Sequence, residues 1–121
     1  MNKLINPEES IKAFLEHLEV ERNLSQFTVR NYSHYLRRFL GWWLRRGEGK
    51  TMADLTLEEI RAWRLNLARQ NLSQVTQGYH VIALRSWLKW LVKQDVITVL
   101  PEKVDVPKGE TKSLKFLNRE Q

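Results

Sequence analysis

The sequence predicts an all-α protein, a compact bundle of four main helices arranged as two hairpins. Apolar residues recur at spacings of three and four almost throughout, which is the period of an α-helix. No segment before residue 101 alternates apolar and polar residues clearly enough to predict a strand. The pattern Asn-Leu-Ser-Gln-x-Thr occurs at residues 23–28 and again at 71–76. Two copies favour two similar hairpins, because a stacked solenoid needs about three or more units.

The first helix is predicted to begin beside Asn6, whose side chain can cap it. Pro7 follows with a backbone φ preset for a first helical turn. Glu8 and Glu9 then place two carboxylates at the positive end of the helix dipole. The apolar face that we expect to enter the core comprises Ile11, Phe14, Leu15 and Leu18.

The second and fourth helices share the repeated start. The second is predicted to begin at Ser25, to run to about Arg46 and to end at the Gly47-Glu48-Gly49 segment. The fourth begins at Ser73 and runs to about Gln94. The apolar stripe of the second helix comprises Val29, Tyr32, Leu36, Phe39, Leu40 and Trp43. The stripe of the fourth comprises Val81, Leu84, Leu88 and Leu91.

The third helix has a start signal of its own. Thr56 and Glu59 have the spacing of a capping box, and Leu55 and Ile60 occupy the staple positions around it. The helix should continue to about Gln70, with Trp63 and Leu67 facing the core. Beyond the fourth helix, Pro101 and Pro107 bracket a segment that we expect to be extended.

Composition excludes several classes of protein. The length of 121 residues predicts one domain, and the absence of cysteine excludes disulfide scaffolds, cysteine-ligated metals and thiol catalysis while leaving the redox compartment open. No apolar run approaches the ~18 residues of a membrane span, and the first residues lack the apolar stretch of a secretion signal. We therefore expect a cytoplasmic protein with no membrane partner.

Positive charge is concentrated on the two helices that share the repeated start. The formal net charge of the chain is +6 at pH 7. Residues 25–50 contain six basic residues and one acidic residue, and residues 73–100 contain three and one. The second helix carries Arg30, His34, Arg37, Arg38 and Arg45, and the fourth carries Arg85, Lys89 and Lys93. At this spacing each set lies on one helix face, and the two faces should merge into one surface if the helices are neighbours.

Three interpretations of this charge remain open. A basic surface can follow the phosphates of duplex DNA, and an α-helix fits the major groove. Alternatively, a helical interaction module could bind an acidic protein partner through its basic faces and exposed tryptophans. A basic helix lying on a membrane is least favoured, because the apolar stripes are needed for the core. Trp42 and Trp90 lie off the main stripes and are expected to be the most exposed of the five tryptophans.

Catalytic and metal-binding patterns are not found. The histidines His17, His34 and His80 do not pair at metal-ligand spacing, and the sequence has neither a Gly-rich phosphate loop nor a nucleophile elbow. We expect no catalytic residue, metal or cofactor in this chain.

Several segments together resemble the N-terminal core-binding domain of the tyrosine recombinase, or phage-integrase, family. The matching segments are Glu21-Arg22-Asn23-Leu24-Ser25 with Thr28 and Tyr32, Asp54-Leu55-Thr56 with Ile60 and Trp63, Leu72-Ser73 with Thr76, and Ala83-Leu84-Arg85-Ser86-Trp87-Leu88-Lys89-Trp90-Leu91. Val106-Pro107-Lys108 and Leu117-Asn118-Arg119-Glu120 resemble the interdomain linker and the start of the family's catalytic domain. The resemblance implies a SAM-like bundle at residues 1–100 and a linker at 101–121.

The resemblance also implies a function: an arm that clamps duplex DNA during integration or recombination while a second domain cleaves the strands. The second and fourth helices would address the major groove, and Lys108 would follow the backbone. Tyr79 and His80 occupy positions where relatives often have arginine, so base or sugar contacts are expected there. The predicted DNA-binding residues are Ser25, Thr28, Arg30, Asn31, His34, Arg38, Ser73, Thr76, Gln77, Tyr79, His80, Arg85, Lys89 and Lys108. The implied partners are double-stranded DNA, the protein's own catalytic domain and other recombinase protomers.

Overall fold

A computed structural model describes residues 5–47 and 50–106, and four α-helices account for most of this part of the chain. The helices are α1 (Pro7–Glu16), α2 (Gln26–Leu44), α3 (Leu57–Ala68) and α4 (Gln74–Lys93). A π-helical turn (His17–Glu21) follows α1, and short 3₁₀ turns span Met52–Asp54 and Pro101–Lys103. No β-strand occurs within the described residues. The predicted all-α class is confirmed.

The helices begin where the capping residues predicted. The Asn6 side chain accepts hydrogen bonds from the backbone N–H groups of Glu8 at 2.8 Å and Glu9 at 3.2 Å. Ser25 Oγ accepts from Thr28 N at 3.2 Å, and Ser73 Oγ accepts from Thr76 N at 3.1 Å. Each cap satisfies donors that have no partner within the helix, which fixes the first turn.

The repeated six-residue pattern forms the same corner twice, leading into α2 and into α4. Asn23 and Asn71 both have left-handed backbones, with φ of 51° and 58°. Asparagine adopts this region more readily than most residues. Leu24 and Leu72 are partly buried and pack against the core. The repeat therefore encodes a turn, an apolar anchor and a cap in succession.

The structure adds a π-helical turn to the predicted elements and changes several of their details. The first helix continues as the π-helical turn, in which Arg22 N bonds to His17 O at 3.0 Å. α2 and α3 each end two residues before the predicted positions, in turns. Only half of the predicted capping box forms, because Thr56 accepts from Glu59 N while the Glu59 carboxylate binds Arg46 instead. The segment after Pro101, which was expected to be extended, begins with a 3₁₀ turn.

The core lies where α2 crosses α4, with α1 and α3 packed alongside. α1 contacts α2 and α3 contacts α4, as the two predicted hairpins require, and α2 has its most extensive contact with α4. Three tryptophans, Trp43, Trp63 and Trp87, are almost fully buried in this core. Trp87 Nε1 donates to Ser10 Oγ at 3.2 Å, which ties α4 to α1.

The chain after α4 returns to the bundle. Pro101 and Val104 are buried, and Arg85 Nε donates to Pro101 O at 3.1 Å. Arg64 Nη1 donates to Asp105 O at 2.8 Å, which ties the same segment to α3. The start of the predicted linker thus packs against the helices, whereas its remainder lies outside the described residues.

Candidate nucleic-acid interface

The basic residues of α2 line a groove between α2 and α3. This groove, called the α2 groove, has a volume of about 480 Å³. It is lined by His34, Arg37, Arg38, Gly41, Trp42, Arg45, Asn66 and Gln70. Among the described residues that line it, none carries a carboxylate. Three guanidinium groups without a neutralising partner in the lining make this groove strongly electropositive.

Arg37 lines the α2 groove and Arg46 lies outside it, and each is held by hydrogen bonds to a different partner. Arg37 Nε donates to Ser33 Oγ at 3.2 Å, one turn earlier on the same exposed face. Arg46 donates to both carboxylate oxygens of Glu59, at 3.1 and 3.3 Å, and lies over the Trp42 ring at 4.8 Å. Arg46 is therefore held by an ion pair outside the groove, and its charge is largely neutralised.

The basic residues of α4 line a second groove, with α1 on its other side. This groove, called the α4 groove, has a volume of about 550 Å³, and its lining includes the aromatic residues Phe14, Tyr32 and Trp90. Its cationic residues are Arg22, Arg85, Lys89 and Lys93. Its one carboxylate, Glu21, is bonded to His17 at 2.8 Å.

The two basic faces that were expected to merge line separate grooves. α2 and α4 are neighbours, but the two grooves share no lining residue. On each helix the charged residues lie opposite the apolar stripe that makes the helix contact, so packing separates the charges instead of joining them. The structure presents two basic grooves.

The predicted contact residues at the helix starts have different exposures. Ser25 and Ser73 are exposed, but their hydroxyls donate to Thr28 Oγ1 at 3.1 Å and Thr76 Oγ1 at 3.0 Å. Thr28 is only 3% exposed, so its side chain is not accessible to DNA in this conformation. Asn31, Thr76 and Gln77 are half-buried, and Gln77 Nε2 donates to Leu72 O at 2.8 Å.

His80 lies in the core and not on the surface. It is 1% exposed, its Nδ1 lies 2.7 Å from Thr76 O, and its ring centroid is 4.5 Å from that of Tyr35. Burial lowers the pKa of His80, an effect that the hydrogen bond to Thr76 opposes and the charges of Arg38 and His34 reinforce. The ring is therefore neutral at pH 7 and donates Nδ1–H to the carbonyl. The ring is not accessible in this structure for its predicted contact with DNA.

Tyr35 was missed by the sequence reasoning, although it occupies the crossing of α2 and α4. Its ring lies 5.8 Å from that of His34 and 6.4 Å from that of Tyr79, which is half-buried. Burial raises the pKa of Tyr35, and the neighbouring Tyr79 and Tyr32 add to the effect. The Tyr35 hydroxyl thus stays protonated as a hydrogen-bond donor. Its position three residues after Tyr32 was a signal that could have indicated a shared surface.

Trp42 and Trp90 are the least buried tryptophans, as predicted, but both are half-buried. Trp42 is covered by Arg46, and Trp90 packs on Phe14 with ring centroids 5.6 Å apart. The other predicted residues Arg30, His34, Arg85 and Lys89 are exposed, and Arg38 is partly so. Lys108 lies outside the described residues. DNA contact by any of them stays a prediction.

Residues 5–47 and 50–106 contain neither a metal-binding cluster nor a helix that could span a membrane. No group of three or more histidine, aspartate or glutamate residues lies close enough together there to hold a metal ion. In the same part of the chain, no helix has the length and apolar character that a membrane span requires.

Comparisons with known proteins agree with this fold and composition. A family model described as the N-terminal SAM-like domain of phage integrase matches residues 11–95. A solved structure of the N-terminal domain of a phage integrase/site-specific recombinase from Haloarcula marismortui superposes with a TM-score of 0.79 at 24% identity. It covers 88% of this chain and 100% of that one, which shows the shared fold.

The chain belongs to the phage-integrase, or tyrosine recombinase, family, of which it represents the N-terminal SAM-like domain. It is 29% identical over 117 residues to the tyrosine recombinase XerC of Bacillus subtilis, covering 96% of this chain and 38% of that protein. It is 30% identical over 101 residues to XerC of Escherichia coli K12, covering 82% and 33%. The chain thus spans little more than a third of the relatives it matches.

Proposed function

We propose that this domain is a duplex-DNA-binding arm of a site-specific tyrosine recombinase, which clamps the target DNA without cleaving it. The observation that carries the proposal is the α2 groove, where Arg37, Arg38 and Arg45 converge without a carboxylate in the lining. Phosphate oxygens are the ligands that such a guanidinium cluster fits best. The names of the relatives, all tyrosine recombinases, are consistent with this role.

Phosphate contacts would supply most of the affinity. Arg30, Arg38 and Arg45 extend along the exposed side of α2, so they can follow a backbone strand over several phosphates. Lys89 and Lys93 offer the same chemistry on α4. Lys108, in the chain that follows, would extend the contact. These contacts position the arm but carry little sequence information.

Base contacts would come from fewer side chains. Asn31 and Tyr79 are partly accessible and can hydrogen-bond to base edges or sugars. In this proposal the strand chemistry belongs to a separate catalytic domain, which would be one partner of the arm. Other recombinase protomers on the same DNA would be further partners, and the cytoplasm is where such an assembly would act.

A matched pair of charge reversals tests the proposal. Arg38→Glu places a carboxylate in the α2 groove, whereas Arg61→Glu makes the same charge change on an exposed part of α3 outside both grooves. Measured by fluorescence anisotropy on a short duplex at low salt, Arg38→Glu should weaken binding about tenfold or more, and Arg61→Glu by less than about threefold. Equal effects of the two variants would contradict the proposed surface.

Binding of an acidic protein segment is a second candidate, favoured by the α4 groove. Its lining combines the aromatic ring of Trp90 with the cationic side chains of Arg22 and Lys93. This combination suits an apolar side chain flanked by carboxylates. Chemical-shift mapping separates the candidates: duplex DNA should perturb amides along the α2 groove, and perturbation absent there at saturating DNA would favour the protein partner.

A further inference from the structure

Two exposed apolar side chains occupy equivalent places in the repeated corners. Phe27 is 58% exposed in the first turn of α2, and Val75 is 41% exposed in the first turn of α4. Both stand at the variable position of the Asn-Leu-Ser-Gln-x-Thr pattern. An exposed phenylalanine costs free energy in water, since its ring area could be buried elsewhere. The same feature at both corners indicates a shared use.

Phe27 lies in line with the basic face of α2. His34, Arg38 and Arg45 follow it by 7, 11 and 18 residues, spacings that place all four side chains on one narrow strip of an α-helix. Val75 bears the same relation to α4, where Lys89 and Lys93 follow it by 14 and 18 residues. Each basic face therefore begins with one apolar side chain.

Other exposed apolar residues do not share this placement. Val20 is 74% exposed in the π-helical turn, and Leu65 is 51% exposed on α3. Both lie on other elements, whereas Leu44 and Val92, which are also exposed, lie in the last turns of α2 and α4. Phe27 and Val75 are thus the exposed large apolar side chains in the first turns of these two helices.

We propose that Phe27 and Val75 contact the C5 methyl groups of thymines in the major groove, which gives the arm a preference for thymine. The inference rests on the proposed function, because it takes the basic faces to follow phosphates. The thymine methyl is the apolar group that base pairs present on the major-groove edge. In helix-turn-helix proteins the N-terminal residues of the recognition helix contact base edges, and Phe27 and Val75 occupy the corresponding first turns of α2 and α4.

The test compares two duplexes that differ only in thymine methyl groups. One is an A·T-rich duplex, and the other has the same sequence with deoxyuridine in place of every thymidine. The 121-residue chain should bind the uracil duplex about fourfold or more weakly, the effect of losing at least one buried methyl contact. The salt dependence should be the same for both, since the phosphates are unchanged.

Variants assign the effect to the two side chains. Phe27→Ala should reduce the ratio of the two affinities, and the double variant Phe27→Ala/Val75→Ala should bring it close to one. Both side chains are exposed, so neither change should disturb the fold. Leu65→Ala is the matched control, an exposed apolar truncation outside the grooves that should keep the wild-type ratio.

The outcomes separate this inference from the proposed function. Equal wild-type affinity for the two duplexes, with salt-dependent binding intact, would overturn thymine recognition and leave the DNA-binding arm standing. A double variant that retains the wild-type ratio would also overturn it. Failure to bind either duplex at low salt would overturn the proposed function itself.

Discussion

Ser10 holds a buried hydrogen bond that matters more than a serine in a first helical turn usually does. Its hydroxyl donates to Pro7 O at 2.8 Å and accepts from Trp87 Nε1 at 3.2 Å, and the residue is fully buried. The indole N–H thus has a partner inside the core, where an unpaired donor is costly. One hydroxyl couples the start of α1 to the middle of α4.

Ser10→Ala should lower the free energy of unfolding by about 1–3 kcal/mol, because it leaves the Trp87 N–H buried without a partner. Urea denaturation followed by tryptophan fluorescence measures this loss. Ser33→Ala removes a hydroxyl that bonds to Arg37 on the exposed face and should change stability by less than about 0.5 kcal/mol. Similar losses of unfolding free energy in the two variants would show that the buried hydrogen bond stabilises the domain no more than the exposed one does.

His80 should make the stability of the domain depend on pH. Its pKa is lowered in the fold by burial, so the unfolded chain takes up a proton first as the pH falls. The contribution of neutral His80 is complete above the unfolded pKa of about 6.5 and is lost progressively as the pH falls toward the folded value.

Thermal unfolding at several pH values checks this. Between about pH 7 and pH 5, the melting temperature of the wild type should fall more steeply than that of His80→Phe, which keeps an aromatic ring but cannot take up a proton. Leu65→Ala, an exposed truncation on α3 that changes no titratable group, should keep the wild-type slope. Parallel curves for wild type and His80→Phe would contradict the account.

The burial of His80 and Thr28 could have been predicted from the helical period. His80 precedes Leu84 by four residues and Trp87 by seven, and Thr28 precedes Phe39 by eleven, so both share the core side of their helices. The DNA contacts predicted for these two residues came from the family resemblance and not from this spacing. The partners of Glu59 and Ser10 were not predictable, because they come from elements distant in the sequence.

At the level of elements, the repeated corners explain why α2 and α4 begin alike. Asn71 adopts a φ of 58°, where a residue with a Cβ is strained and a β-branched one most of all. The cap at Ser73 and the anchor at Leu72 depend on this reversal of the chain. Most starts could be predicted because caps act within a few residues, whereas the π-helical turn and the early ends of α2 and α3 depend on packing.

Substitutions at Asn71 test the corner. Asn71→Val should destabilise the domain by about 1–3 kcal/mol, the cost of forcing such a side chain into the left-handed region. Asn71→Gly, which adopts that region without strain, should be neutral or slightly stabilising. Chemical denaturation measures the stability of the two variants. Equal destabilisation by both would contradict the idea that strain in the left-handed backbone at residue 71 causes the loss.

At the level of the whole molecule, the fold class and the location of the charge could be predicted from the sequence, but the shape of the charged surface could not. Hydrophobic periodicity and charge counts describe one helix at a time, so they can show that the basic residues lie on α2 and α4. Whether two faces join depends on the rotation of each helix in the bundle. In the packed bundle Arg38 lines the α2 groove, and Lys89 lines the α4 groove.

The salt dependence of duplex DNA binding tests the central claim most directly. If about five phosphates are neutralised by the basic residues of the two grooves, log K should fall linearly with log salt at a slope of about −4 to −5, or roughly 0.9 per contact. The slope should become shallower by about one unit in Arg38→Ala. A flat slope, or no binding at low salt, would contradict the account of this domain as a DNA-binding arm.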